Sequence, residues 1–391
     1  MTTPRACPVC EGEALVPIVE RAGAPVHQNL IYQTAQAAVS ARRGDLSMVA
    51  CARCGFVFNR AFDASRLEYG DQYDNTQLLS DVFKEHVAGL LRHLLDERAV
   101  RGARIVEVGC GKGAFIRALI ADEAAGNTGV GYDPSYVGPE VEFGGRLHYE
   151  RRFYDAGCLA EPADVVVSRH VVEHVADPVA LIQVMATALK ASPDARVFLE
   201  TPCVEWILRN NVVWDFFYEH CSLFTARSLT VACQRAGLTV DRVDHVFGGQ
   251  YLWLEASNRP PEHVELDPGQ VPDHARAFAE TQVRETERLR GLVRSLAGRQ
   301  RLAVWGAGAK GITFANLIDP EREYVACLVD VNPTKQGGFV AGTGHPIVGP
   351  ADLGSQHVTC ALVLNPNYQR EIEAMARASG LSLDVLAVES P

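Results

Sequence analysis

Three residue patterns in this 391-residue chain could do chemistry. The first joins an acid to glycines: Glu107-Val108-Gly109-Cys110-Gly111-Lys112-Gly113. An apolar β-rich run, Arg104 to Val108, leads in, and a helical pattern through Phe115, Ile116, Leu119 and Ile120 leads out. Strand, tight turn and helix in that order bring backbone N–H groups close to a ligand, because glycine turns sharply with no side chain in the way. A dinucleotide could use the same turn. Glu107 shifts the balance: a carboxylate just before the glycines disfavours a pyrophosphate and suits a cationic, phosphate-free ligand such as S-adenosylmethionine. Asp133 ends the next apolar run, where an acid can accept hydrogen bonds from both hydroxyls of an adenosine ribose. Asp155, after Phe153-Tyr154, is expected near the adenine, and Ser168, at the end of a further run, is a cofactor-side candidate.

The second pattern is Cys7-Pro8-Val9-Cys10 with Cys51-Ala52-Arg53-Cys54-Gly55. Each C-x2-C turn presents a pair of thiolates, and the two turns together complete a tetrahedral zinc site. Four thiolates leave no open position, so the zinc expected is structural, and it holds together a module with little core of its own. A redox dithiol is the competing reading. The third pattern is Arg169-His170-Val171-Val172-Glu173-His174, after the apolar run from Ala163 to Ser168. Ligands of open α/β sheets gather beyond the carboxyl ends of the strands, so this run is well placed for function. Arg169 suits a phosphate or carboxylate. Tyr73, in Tyr69-Gly70-Asp71-Gln72-Tyr73, could present a phenol from a lid.

The elements that must position these residues alternate. Runs at 104–108, 128–132, 146–149, 163–168 and 196–201 read as strands, with helices between them and a closing antiparallel pair at 238–246 and 250–256. A helix from Val82 to Leu95 is expected to cover the cofactor end. Thr225 caps a helix that Gly237 ends. The Pro- and acid-rich stretch 257–272 reads as a linker, and an amphipathic helix follows it. A second strand–glycine–helix unit then starts at Leu302, through Gly306-Ala307-Gly308-Ala309-Lys310-Gly311, with an acid, Asp330, after its next strand. This turn could hold a dinucleotide. It equally suits a scaffold that helps hold a nucleotide-bearing substrate through its N–H groups and Lys310. The divisions expected are a zinc-binding domain and lid at 1–75, a catalytic domain at 76–256, the linker, and a C-terminal domain at 273–391.

The formal charge of -11, with no basic stripe to offset it, argues against nucleic acid as the main partner. No apolar run is long enough for a membrane helix. The amino-terminal residues carry no apolar signal core, so a cytoplasmic location is expected. The seven cysteines outside the paired motifs lie scattered, several in apolar runs, as small buried hydrophobes do.

The run from Gly306 to Ile347, GAGAKG followed by VDVNPTKQGGFVAGTGHPI, resembles a pattern of the bacterial deoxysugar C-methyltransferases, which act on nucleotide-linked keto sugars in antibiotic pathways. Glu219-His220 with Phe224 resembles that family's signature after the fifth strand, and His174 before Asp177-Pro178 matches its histidine after the fourth. The resemblance covers most of the chain. It implies an α/β fold: a class I S-adenosylmethionine-dependent methyltransferase (Rossmann-like) core between a small zinc-binding domain and a second, C-terminal Rossmann-like domain. It implies a reaction in which a base removes a proton beside a ketone and the enolate carbon takes the methyl group. The acid–base set it implies is His220, Glu219 and His174 with a tyrosine, Tyr73 or Tyr218. Phe217 stands where the family has a tyrosine, and Tyr218 is its nearest replacement. The acceptor expected is a small molecule. A nucleotide-linked keto sugar comes first, and C-, O- or N-methylation of an aromatic or keto-acid intermediate is the alternative. An NAD(P)-dependent oxidoreductase is the remote alternative.

Overall fold

The computed structural model describes residues 4–67, 79–159, 162–189 and 194–388. Tyr73 lies outside the described residues.

The chain begins with the strand β1 (Leu15–Pro25), a short helix α1 (Ala35–Val39), β2 (Arg43–Cys51) and β3 (Val57–Asn59). The helix α2 (Asp81–Arg92) follows, capped by the Ser80 hydroxyl on Phe83 N–H. Its buried stripe is Phe83, Val87 and Leu90, the i, i+4, i+7 face that the sequence shows. Next come β4 (Arg104–Val108), α3 (Ala114–Ala121), β5 (Thr128–Tyr132), β6 (Val141–Glu142), β7 (Leu147–Glu150), β8 (Val165–Arg169), α4 (Pro178–Ala188) and β9 (Arg196–Pro202). Asp177 caps α4, with Pro178 at its first position. Then follow α5 (Val204–Arg209), β10 (Ser222–Leu223), α6 (Ala226–Arg235), β11 (Thr239–Val246) and β12 (Tyr251–Ser257). Thr225 and Ser228 form a reciprocal capping box at α6. A long helix, α7 (Val271–Ala297), starts inside the expected linker. The chain closes with β13 (Leu302–Trp305), α8 (Ala309–Ile318), β14 (Val325–Val329), β15 (Ile347–Val348), β16 (Cys360–Val363), α9 (Gln369–Ala378) and β17 (Asp384–Ala387).

These strands make three sheets. The central one has the order β11-β12-β9-β8-β4-β5-β7-β6. Its middle is parallel, from β9 to β7, and the antiparallel pair β11–β12 extends one edge. Strand order reverses at β4, whose neighbours β5 and β8 both come later in the chain, so a crevice opens beyond its carboxyl end. The C-terminal sheet, β15-β14-β13-β16-β17, is all parallel and repeats this device: β13 lies between β14 and β16. The central fold is that of class I S-adenosylmethionine-dependent methyltransferases.

In the first sheet, β1-β2-β3-β10, the outer strand comes from far along the chain, because β10 pairs with β3. The amino-terminal module is therefore sewn into the catalytic region. One hydrophobic core runs through Ile18, Leu46, Trp214, Phe216, Phe278, Leu289, Phe314 and Leu362, from the first sheet across α7 to the C-terminal sheet. Trp214 packs edge-on against Phe314 of α8, and Phe216 against Phe278 of α7. Among the described residues, no helix is long and apolar enough to cross a membrane.

Candidate active site

Glu107 is the penultimate residue of β4, and its side chain is buried. One carboxylate oxygen accepts the Ile116 N–H at 3.0 Å, tying the strand to the first turn of α3. Burial pushes this carboxyl up to about 8, against the pull of Arg169 and the Ile116 N–H. Gly109, Gly111 and Gly113 all have left-handed φ, at 74°, 55° and 75°. At Gly109 a Cβ would lie 2.2 Å from Val171 Cγ2, so only glycine fits there. Asp133 holds the loop from the other side. Its Oδ2 accepts the Gly111 N–H at 2.8 Å and its Oδ1 accepts the Ser135 N–H at 2.7 Å.

Glu107, Gly109, Gly111 and Asp133 line a cavity of about 540 Å³, together with Tyr132, Arg152, Phe153, Tyr154, Arg169 and, from α2, Phe83 and Val87. The helix thus covers this end, as its pattern predicts. A buried acid, Gly109 and Gly111 of the turn, and an acid after β5 converge on one space, which fits S-adenosylmethionine. Two cofactor-side candidates fall elsewhere. Asp155 caps the turn at 156–158 and bonds Arg152 at 2.8 Å, so Arg152, Phe153 and Tyr154 face the cavity in its place. The Ser168 hydroxyl bonds the Val108 carbonyl at 3.1 Å, bridging β8 to β4.

A second cavity, of about 280 Å³, adjoins the first. His170 and His174 line both. The second is also lined by Glu173, Phe217, Glu219 and His220, and it extends to Gly306, Gly308, Lys310, Asp330 and Lys335 of the C-terminal domain. The three residues Glu173, His174 and His220 bring a ligating atom each within 4.8 Å of one another. The His174 and His220 rings stand edge to face at 4.7 Å. Burial, with the positive field of His174, His170 and Lys310, holds His220 well below the ordinary histidine range. Burial lowers His174 too, with partial compensation from Glu173. Both rings are therefore neutral at pH 7 and able to accept a proton. Glu219 Oε2 accepts the Gln28 N–H at 2.8 Å, so the amino-terminal module fixes this loop.

Tyr218 does not join them. Its ring is fully buried against Phe62, and its hydroxyl meets the Asp63 backbone, 2.8 Å from the N–H. The ring fills space that Gly44 leaves open, where a Cβ would come within 2.3 Å of it. It is Phe217 that faces the cavity, 4.1 Å from the His220 ring, at the start of a turn closed by the His220 N–H on the Phe217 carbonyl. Arg169 is not free for a substrate anion either: its Nε donates to Glu200 at 2.7 Å and its guanidinium lies over Phe115. Lys310 pairs with Asp215 and lies over Trp206, so it joins two domains and is not poised for a phosphate. Trp206, Trp214 and Phe216 stay out of the cavity lining, as interdomain core does.

Glu200 is a central residue that motif reading misses. It is fully buried at the end of β9, where it holds Arg169, His86 of α2 at 2.5 Å and the His170 backbone N–H at 2.8 Å. The signal is one acid inside the apolar run Val197-Phe198-Leu199-Glu200, the same signal that marks Glu107.

The four paired cysteines are buried and unbridged. Their sulfurs lie within 4.8 Å of one another, with Cys7–Cys54 at 3.7 Å and Cys10–Cys51 at 3.5 Å. A tetrahedral zinc with bonds of about 2.3 Å requires sulfur–sulfur edges of about 3.8 Å, so the donor set fits that ion.

Known proteins of similar sequence are methyltransferases. Residues 83–243 match a family model described as a methyltransferase domain, and residues 270–380 match one described as a C-methyltransferase C-terminal domain. The chain is 24% identical over 393 residues to the C-methyltransferase NovU of Streptomyces niveus, covering 94% of this chain and 90% of the relative. It is 34% identical over 110 residues to a ubiquinone biosynthesis O-methyltransferase of Haemophilus ducreyi, which covers 26% of this chain and 45% of that protein. Among solved structures, an S-adenosylmethionine-dependent methyltransferase from Mesorhizobium loti aligns with 45% of this chain and 99% of its own, at 19% identity and a TM-score of 0.33. The chain is an S-adenosylmethionine-dependent methyltransferase that joins a methyltransferase domain to the C-terminal domain of C-methyltransferases.

Proposed function

We propose that the chain methylates a carbon next to a ketone, through an enolate, on a nucleotide-linked keto sugar or a related small intermediate. The observation that carries this reading is the meeting of the two cavities at His170 and His174, with neutral His220 on the acceptor side. S-Adenosylmethionine, when bound, supplies an electrophilic methyl group. Glu107, the glycine loop and Asp133 are the residues to hold it. His220 takes the proton from the acceptor carbon, and His174 and Glu219 orient it. The nucleotide assignment draws on the far end of the acceptor cavity. Asp330 there accepts the Ala307 N–H at 3.0 Å and the Asn332 N–H at 2.8 Å, the arrangement that Asp133 makes in the first cavity. The 24%-identical relative, a C-methyltransferase by name, supports carbon as the atom methylated.

The test is methyl transfer from labelled S-adenosylmethionine to thymidine-diphosphate-linked 4-keto-6-deoxyglucose, with the product fragmented by mass spectrometry. A carbon-bound methyl is the expected result, and with S-adenosylhomocysteine in place of the methyl donor, solvent deuterium should enter the unmethylated sugar at that same carbon. His220→Ala should lose turnover and exchange while keeping the cofactor. A methyl on oxygen, as in the O-methyltransferase relative, with no exchange, refutes the enolate reading.

We also infer a structural zinc at Cys7, Cys10, Cys51 and Cys54. Metal analysis of the purified protein should find about one zinc per chain, and Cys51→Ser should reduce it. A full-length, metal-free protein that melts at the same temperature would remove the assignment.

A further inference from the structure

Glu173, His174 and His220 each offer one ligating atom, and the three atoms lie within 4.8 Å of one another. Glu173 and His174 are consecutive in the turn Val172–His174 that follows β8. The His174 backbone N–H closes that turn on the Val171 carbonyl at 2.9 Å. His220 comes from the loop before β10, and the Ser222 hydroxyl ties this loop to the turn by donating to the Val175 carbonyl at 2.7 Å. Backbone ties thus hold the three donors side by side. A tetrahedral metal with bonds of about 2.1 Å needs donor–donor edges of about 3.4 Å, which this span admits.

The surroundings of the donors also point to an ion. Glu173 is fully buried, and its Oε2 accepts the Thr201 hydroxyl at 3.0 Å, which fixes the carboxylate. Its Oε1 makes no hydrogen bond among the described residues. His170 faces both this oxygen and Glu200 Oε2, at 3.3 and 3.5 Å, without a hydrogen bond to either. A buried carboxylate oxygen in that state has room for a closer positive partner. The Glu219 backbone takes a hydrogen bond from the His174 ring. A histidine bonded through one nitrogen in this way keeps the lone pair of the other for a metal. All three side chains line the acceptor cavity, from which an ion reaches them. Two imidazoles and a carboxylate suit zinc and its neighbours in the first transition row, whereas magnesium and calcium take oxygens. Three protein donors leave a coordination position open, unlike the closed set of four cysteines.

We propose that Glu173, His174 and His220 form a second metal site, which takes a divalent transition-metal ion such as zinc and, when filled, blocks turnover. The binding follows from the donor set; the block rests on the enolate reading above. His220 uses one lone pair either to take the proton from the acceptor carbon or to hold the ion, so the two events exclude each other. The ion also stands where the acceptor must enter. Three donors without a thiolate hold zinc less tightly than four cysteines do. Zinc on the cysteines therefore survives purification, while this site fills only when the ion is supplied.

The test adds cobalt(II) chloride to the full chain as purified, with its cysteine zinc in place. Cobalt is expected to bind at about one ion per chain, with visible ligand-field bands and without the sulfur-to-metal charge transfer that cobalt on cysteines shows. Glu173→Gln and His220→Ala should each weaken this binding by roughly tenfold or more. Unchanged cysteine zinc and unchanged affinity for S-adenosylhomocysteine will show that both variants are folded. In methyl transfer to the thymidine-diphosphate-linked sugar, added zinc should inhibit, less so as the sugar concentration rises, and dialysis should restore turnover. Absence of the cobalt bands, bands with sulfur charge transfer only, or equal binding by both variants would each overturn the site. Turnover that is unaffected by zinc, or that rises with it, would overturn the block. Methyl recovered on an acceptor oxygen would sink the enolate reading separately, and the cobalt bands would still decide the site.

Discussion

At the scale of single residues, the site depends on acids placed where water is absent. Glu107 is the clearest case. In the free protein burial raises its carboxyl to about 8, so at neutral pH it is largely protonated. A cationic ligand against it favours the ionised form. Binding of S-adenosylmethionine should therefore release a proton below pH 8, and affinity should rise by up to about tenfold per pH unit until it levels off near pH 8. Calorimetry in two buffers of different ionisation enthalpy measures both quantities. Glu107→Gln should flatten the profile and weaken binding most at pH 8 and above. A flat wild-type profile would leave Glu107 only its bond to the Ile116 N–H. The acid was legible in the sequence because its partners, the glycines and α3, follow within a few residues. Tyr218 was not, because what turns its ring away from the cavity is the space beside Gly44, remote in the chain.

At the scale of elements, the strands and helices were legible because each carries its own period and cap. The apolar runs at 104–108 and 128–132 coincide with β4 and β5, and Thr225 does cap α6. Elements defined by their partners were not legible: β10 is a strand only because β3 lies beside it. The helix α2 shows what such long-range ties do. Its inner face lines the cofactor cavity, while its amino end is held by the C-terminal domain: Glu371 of α9 takes the Ser80 hydroxyl at 2.6 Å and the Asp81 N–H at 2.8 Å. Charge-assisted bonds to a helix amino terminus stabilise its first turn by about 0.5–2 kcal/mol. Glu371→Ala should fray that turn and loosen the cover. S-Adenosylmethionine should dissociate several-fold faster, although Glu371 lies in another domain. Stopped-flow release of the cofactor tests this; an unchanged rate would mean that His86 on Glu200 and His93 on Glu255 hold α2 without help.

At the scale of the whole molecule, the question is what keeps the acceptor cavity in one shape when its walls come from different domains. Much of the joint is apolar and follows from the aromatic segment before Glu219, whose Trp214 and Phe216 reach α8 and α7. The polar part is Lys310 on Asp215, beside Trp206. Sequence could not reveal this pair, since the residues lie 95 positions apart and each alone suggests a different role. Lys310 is partly exposed and Asp215 nearly buried. Removing the lysine strands a carboxylate in a closed joint, whereas removing both leaves no charge to desolvate. Lys310→Met should thus destabilise the protein by roughly 1–3 kcal/mol, discounted from a fully buried pair for the water at the lysine. Asp215→Asn should destabilise it less, and the double variant should recover most of the loss. Denaturant melts of the four proteins give the coupling directly. Additive effects would mean that the domains are held by the apolar joint alone. A large coupling accompanied by a raised KM for the acceptor, with cofactor affinity unchanged, would mean that this pair sets the distance between His220 and the glycine turn at 306–311.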